Sequence, residues 1–110
     1  MKKFIYTTLL ISLFISCGQE TTGPESFIEA YNKKYVELYY ASSKAEWKTN
    51  TQIIPGDTVN AYQARRANEA FSAFTGSIEN IEKARSFLTA NENLTNLQIR
   101  QLEAILFNAA

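Results

Sequence analysis

From Ser26 onward, apolar residues return every three or four positions and polar ones fill the gaps. Phe27, Ile28, Tyr31, Tyr35, Leu38, Tyr39, Ser42 and Ala45 mark one stripe. Glu29, Lys33, Lys34, Glu37, Lys44 and Lys48 mostly occupy the other faces. That period is helical. A first helix is predicted from about Pro24-Glu25-Ser26, where a proline and an acidic residue suit a helix entry, to Thr49-Asn50, where asparagine tolerates a left-handed cap. Pro55-Gly56 then signals a turn, and Asp57 is a good N-cap for a second helix. A second apolar band drifts from Val59, Tyr62, Ala67, Ala70, Phe71 and Phe74 to Ile78, Ile81, Ala84, Phe87 and Leu88. Gly76, inside that band, is placed to kink or split it, at about 1 kcal/mol relative to alanine. Glu79 and Lys83 stand four apart in the favourable order for a pair worth ~0.3 kcal/mol. The third helix has the clearest start: Thr95 and Gln98 make a capping box, and Leu94 is set to staple onto Ile99. Its apolar pattern runs through Leu102, Ala104, Ile105, Leu106 and Phe107 without a glycine cap or a basic last turn. The pattern therefore predicts an all-α chain, an antiparallel helical hairpin plus a third helix. Its Ile105-Leu106-Phe107 end is expected to be exposed and to seek a partner surface in further polypeptide.

The residues ahead of this region follow different rules. Met1-Lys2-Lys3 is positive, and Phe4 to Ser16 is an uncharged, mostly apolar run. As a helix that run would reach about 20 Å, short of a ~30 Å hydrocarbon core, which fits a signal-peptide core better than a membrane span. It ends Leu13-Phe14-Ile15-Ser16-Cys17, with an apolar residue three before the cysteine and a small one just before it. This resembles the lipobox of bacterial lipoproteins, in which the cysteine becomes the first mature residue and is lipidated. Cys17 is the only cysteine, and it stands where the hydrophobic run stops. The resemblance implies a chain held in the bacterial cell envelope by acyl groups, each buried methylene adding ~0.8 kcal/mol of membrane affinity. The expected organisation is a signal peptide at 1–16, a lipidated cysteine and polar tether at 17–25, and a helical region at 26–110.

Composition narrows the chemistry. Eleven basic side chains balance eleven acidic ones, so no charge excess of the whole chain points to nucleic acid or an anionic surface. Without histidine and with a single cysteine, the chain cannot build a His-based triad, a His/Cys zinc site or an internal disulfide. Tyr35, Tyr39 and Tyr40 lie within one helix and read as a ligand-stacking surface or, more simply, as core rings with wet hydroxyls. Arg65-Arg66 offers an anion site, or a solvated or cross-helix-paired face. Glu79 and Glu82 stand three apart on one helix, where a hard cation could touch them, but carboxylates at that spacing usually sit on a solvated face. Asn93-Leu94-Thr95 fits a glycosylation pattern that a bacterial lipoprotein would leave unused.

Tyr31-Asn32, Ala45-Glu46-Trp47 and Asn50-Thr51-x-Ile53 resemble the start of the angiotensin-converting-enzyme-like peptidyl-dipeptidases. An acidic helix start at Asp57 and the Ala64-Arg65-Arg66 segment continue the resemblance, as do Leu97, Arg100 and Leu102 in the third helix. It covers roughly residues 26–108, and Trp47, Asn50, Thr51 and Ile53 are its most specific positions. It implies a large helical zinc peptidase that removes C-terminal dipeptides from peptides, its N-terminal helices forming a lid over a deep cleft. Metal and catalysis in that family come from an H-E-x-x-H helix and a downstream glutamate, neither of which this chain contains. No catalytic or metal-binding residue and no cofactor carries over; zinc is implied for the full-length enzyme alone. The expected partners are the membrane through Cys17, the remainder of the peptidase chain and, for the full-length enzyme, peptide substrates. In that setting Trp47 is expected to lock the first helix against the second. The alternative is an autonomous three-helix lipoprotein that acts as a binding module.

Overall fold

The computed structural model describes residues 23–90 and 93–110, and every regular element among them is an α-helix. These are α1 (Pro24–Thr51), α2 (Val59–Thr75), α3 (Ile78–Ala90) and α4 (Asn96–Asn108). The expected signal peptide, Cys17 and most of the expected tether lie outside the described residues. Pro24 and Glu25, assigned to that tether, belong to the first turn of α1.

α1 begins as the proline predicts, its ring replacing an N–H that would have no helical partner. Its 28 residues make a rod about 42 Å long. Asn50 does not cap it: the helix continues through Thr51, and Gln52 closes it by donating its N–H to the Lys48 carbonyl at 3.0 Å. Pro55 and Gly56 form the expected turn. Gly56 takes φ +79°, and the Asp57 N–H bonds the Ile54 carbonyl at 3.0 Å, the pattern of a type II turn. The N-cap residue of α2 is Thr58 rather than the expected Asp57, but Asp57 supplies the side-chain acceptor, its Oδ1 accepting from the Val59 and Asn60 N–H groups at 2.9 and 3.3 Å.

The second apolar band is two helices rather than one, and the break falls at Gly76. Its φ of −86° is ordinary for any residue, so backbone freedom is not what ends α2. Local side chains compete for the last carbonyls instead. The buried Thr75 hydroxyl bonds the Phe71 carbonyl at 3.2 Å, and Asn80 Nδ2 reaches back to the Phe74 carbonyl at 3.0 Å.

α1 and α2 are antiparallel. Tyr31 meets Phe74, Tyr35 meets Phe71, Ser42 meets Asn68 and Thr49 meets Asn60, so numbers rise on one helix as they fall on the other. α4 packs on α3 and on the first half of α1. The core sits where these three helices converge, around Ile28, Tyr31, Ala84, Leu102 and Ile105. Ala84 and Leu102 are 0% exposed, and the small side chain of Ala84 lets the helices approach. Phe27, Phe74, Phe87, Leu88 and Leu94 close around them. Thr95 and Gln98 form the reciprocal capping box, at 3.1 and 2.9 Å. Asn93, at φ 64°, supplies the left-handed turn before it, a conformation asparagine adopts more readily than most residues.

The expectation of an exposed apolar end is corrected at two of three positions. Ile105 is core and Leu106 packs against it, while Phe107 alone is exposed. The helical period turns Ile105 inward and Phe107, two residues and about 200° further round, outward.

Candidate functional site

The distal half of the hairpin differs from its base. At the base, aromatic rings carry the contact. Phe27, Tyr31, Tyr35 and Tyr39 follow at four-residue steps along α1, and Phe74 and Phe71 of α2 lie against them at 4.9–5.8 Å between centroids. Toward the tip the seam is polar. Asn68 accepts from the buried Ser42 hydroxyl and donates to Glu46 Oε1 at 2.8 Å. The Thr49 hydroxyl contacts the Asn60 carbonyl at 3.2 Å, and Asn60 Nδ2 donates to Asp57 Oδ2 at 2.6 Å. Ala64 fills the gap between them, so the helices remain close without an apolar layer.

This seam leaves the large apolar side chains of the arm facing outward on both sides. Val36, Tyr40 and Trp47 stand 64, 65 and 71% exposed on α1, on the side opposite its contact with α2. Ile53 and Ile54 of the turn, and Val59 and Tyr62 of α2, are also exposed. Val59 and Tyr62 join Asp57, Ala61 and Arg65 along one groove, and Ile53, Ile54, Gln52 and Asn60 line a second beside it. Both grooves lie on the turn and α2 rather than on the back of α1.

Of the residues singled out in the sequence, Trp47, Asn50, Thr51, Ile53, Arg65 and Arg66 gather on this arm and none of these is core, whereas Tyr31 and Leu102 belong to the core. Trp47 does not lock α1 to α2; Ser42, Glu46 and Thr49 do that, and the indole remains in solvent. Asn50, Thr51 and Ile53 are exposed, the Thr51 hydroxyl bonding the Trp47 carbonyl at 2.7 Å. Arg65 and Arg66 are exposed and share Glu69 of their own helix, at 4.0 and 3.7 Å, so they pair along α2 rather than across the hairpin. The Arg65 guanidinium lies 5.6 Å from the Tyr62 ring centroid. The three tyrosines separate: Tyr35 packs on Phe71, Tyr39 stacks on Tyr35, and Tyr40 faces outward beneath Lys44 at 5.8 Å. Lys83 is not engaged by Glu79; its ammonium lies over Phe27 at 5.7 Å, tying α3 to α1.

One polar group in the core has no bonding partner. The Tyr31 hydroxyl is buried, and no group meets it in hydrogen-bonding geometry among the described residues. Burial above all, and Tyr35 beside it, raise the phenol above its ordinary pKa; the nearby Asn108 side chain offsets this in part. The periodicity of α1 places Tyr31 in the core but carries no sign that its hydroxyl goes unpaired.

Among the described residues, no group of three or more His, Cys, Asp or Glu side chains comes together. No helix among them is long and apolar enough to cross a membrane. No family model matches the chain, and no curated protein or solved structure matches it either.

Proposed function

We propose that this chain is the lid segment of a membrane-anchored zinc peptidyl-dipeptidase, without catalytic groups of its own. The observation that carries the reading is the outward placement of Ile53, Ile54, Val59 and Tyr62 on an arm held together by a polar seam. Such a face gives nothing to the core around Leu102. Apolar surface that packs on nothing of its own chain is suited to cover another surface. A lid works by sterics and gating, and exposed Arg65 and Arg66 beside the grooves would screen peptides by charge at the entrance. The resemblance at Trp47, Asn50, Thr51 and Ile53 falls on this same arm, where core packing imposes no demand.

Zinc does not fit this chain. A catalytic zinc takes about three protein ligands, mostly imidazoles and carboxylates, and no histidine is present. Its ligands, and every chemical step, belong to other polypeptide in this reading.

The test is zinc-dependent release of C-terminal dipeptides by the whole polypeptide encoded at this locus. Replacing Val59 and Tyr62 by aspartate should change selectivity between long and short peptides while short ones still turn over. The 110-residue chain alone should hydrolyse neither. Peptide hydrolysis by that chain, or a locus without an H-E-x-x-H sequence, would overturn the reading. A second reading, an autonomous binding module, draws support from the closed core of α1, α3 and α4. Cooperative unfolding of the full chain as a monomer, together with a locus that encodes no peptidase, would favour it.

A further inference from the structure

The back of α1 is apolar, basic and unpartnered at once. At 100° per residue, Val36, Tyr40 and Trp47 fall within about 40° of one another, roughly 140° around from the Tyr31, Tyr35 and Ser42 side that meets α2. Lys33, Lys44 and Lys48 border one edge of this stripe and are exposed, while Asn32, Ser43 and Asn50 border the other. The acidic groups nearby are spent elsewhere: Glu37 pairs with Lys34 at 2.9 Å, and Glu46 is turned into the seam by Asn68. Glu29 marks the acidic end of the face, below Lys33. An aromatic and aliphatic stripe edged by lysines, whose long stems keep the ammonium groups in water, is the profile of a helix that lies along an interface.

We propose that this face of α1 rests on an anionic phospholipid surface. Charge complementarity selects the occupant: the lysines oppose lipid phosphates, each adding attraction near a negatively charged bilayer. Given lipidation of Cys17, position favours it too. The cysteine stands seven residues before Pro24, so at most about 25 Å of chain separates an acyl anchor from the start of α1. A rod held that near the bilayer meets lipid at high effective concentration. The grooves of α2 and the turn lie on the other side of the arm, so a docked α1 leaves them open to a peptidase cleft.

Trp47 is the only tryptophan and lies in the stripe, so its fluorescence reads the contact directly. The full chain, purified from membranes, is reconstituted with vesicles of phosphatidylcholine alone or with added phosphatidylglycerol, and the mass of the protein reports separately whether Cys17 is acylated. With the anionic lipid, Trp47 emission should shift to shorter wavelength and be quenched by brominated acyl chains, independently of the number of proteins per vesicle. Lys44→Gln and Lys48→Gln should each weaken this by about five-fold, and Val36→Asp with Tyr40→Asp should abolish it with unchanged helical content. Emission that remains that of a wet indole open to iodide would overturn the proposal. So would a shift seen only at high protein density, which would assign the face to a second copy, or one of equal size on neutral vesicles. None of these outcomes bears on peptide hydrolysis by the whole locus.

Discussion

Asn68 reaches across the hairpin to Glu46, its Nδ2 donating to Oε1 at 2.8 Å, while its own Oδ1 accepts from the buried Ser42 hydroxyl. One amide therefore satisfies two side chains of α1 at a level where no apolar layer does the packing. Replacing it strands the Ser42 hydroxyl in a closed seam, and Asn68→Ala is expected to cost about 1–3 kcal/mol. In the Asn68→Ala background, Ser42→Ala should cost much less than it does alone, because the stranded donor is then removed as well. Denaturant midpoints followed by circular dichroism on the four chains complete this cycle; strictly additive losses would contradict the bridge.

Leu102 and Trp47 make the complementary comparison. Leu102 is wholly enclosed among Ile28, Ala84 and Ile105, so Leu102→Ala should cost about 2–5 kcal/mol through lost burial and the cavity left behind. Trp47 is the larger side chain, yet at 71% exposure its replacement by alanine should fall within about 0.5 kcal/mol of zero. Urea unfolding of both variants ranks them, and a costly Trp47→Ala would mean that the indole does hold the hairpin.

That contrast marks how far the sequence could be read. The start of α1 at Pro24 and the capping box of α4 were legible, because each depends on residues within one turn. The hairpin was legible too, since Pro55-Gly56 and Asp57 leave the chain few other ways to turn. Trp47 was not. α1 carries apolar residues on both sides, and a three-and-four spacing does not say which stripe another helix will cover. Asn50 was misplaced as a cap because residues just beyond it can still complete helical bonds, as Gln52 does to Lys48. The break at Gly76 was visible only as an option, since what decides it is the Thr75 hydroxyl and the Asn80 amide five residues further on. The candidate face required three dimensions, because the polar seam that turns the arm's apolar residues outward pairs positions more than twenty apart.

The two glycines near helix ends should respond differently to alanine. Gly56 sits at φ +79° with open space where a Cβ would project, so Gly56→Ala meets only the left-handed penalty of an L-residue, about 1–2 kcal/mol. Gly76 has an ordinary φ, and alanine there gains about 0.4–1 kcal/mol by restricting the unfolded chain. Against that gain, its Cβ would lie 3.1 Å from the Ser72 carbonyl oxygen, a contact the end of α2 must relax to admit. Gly56→Ala is expected to lower the melting temperature more than Gly76→Ala does. The reverse order would mean that the α2–α3 break is the tighter of the two turns.

Tyr31 ties the core to alkaline pH. Its hydroxyl is buried without a bonding partner, so Tyr31→Phe removes a polar group that the fold leaves unsatisfied, and the variant should be no less stable at pH 7. The folded phenol titrates above its unfolded value, first because of burial and then because of Tyr35. Below the unfolded pKa both states hold the proton, and the stability is fully present. As the pH climbs past about 10, the unfolded chain releases a proton that the folded chain retains, and stability falls until the folded phenol ionises. Phenylalanine has no such proton, so the difference in urea midpoint between the two chains should widen in favour of Tyr31→Phe above about pH 10. Midpoints that run parallel from pH 7 to 11 would mean that the Tyr31 hydroxyl is hydrated or paired in solution.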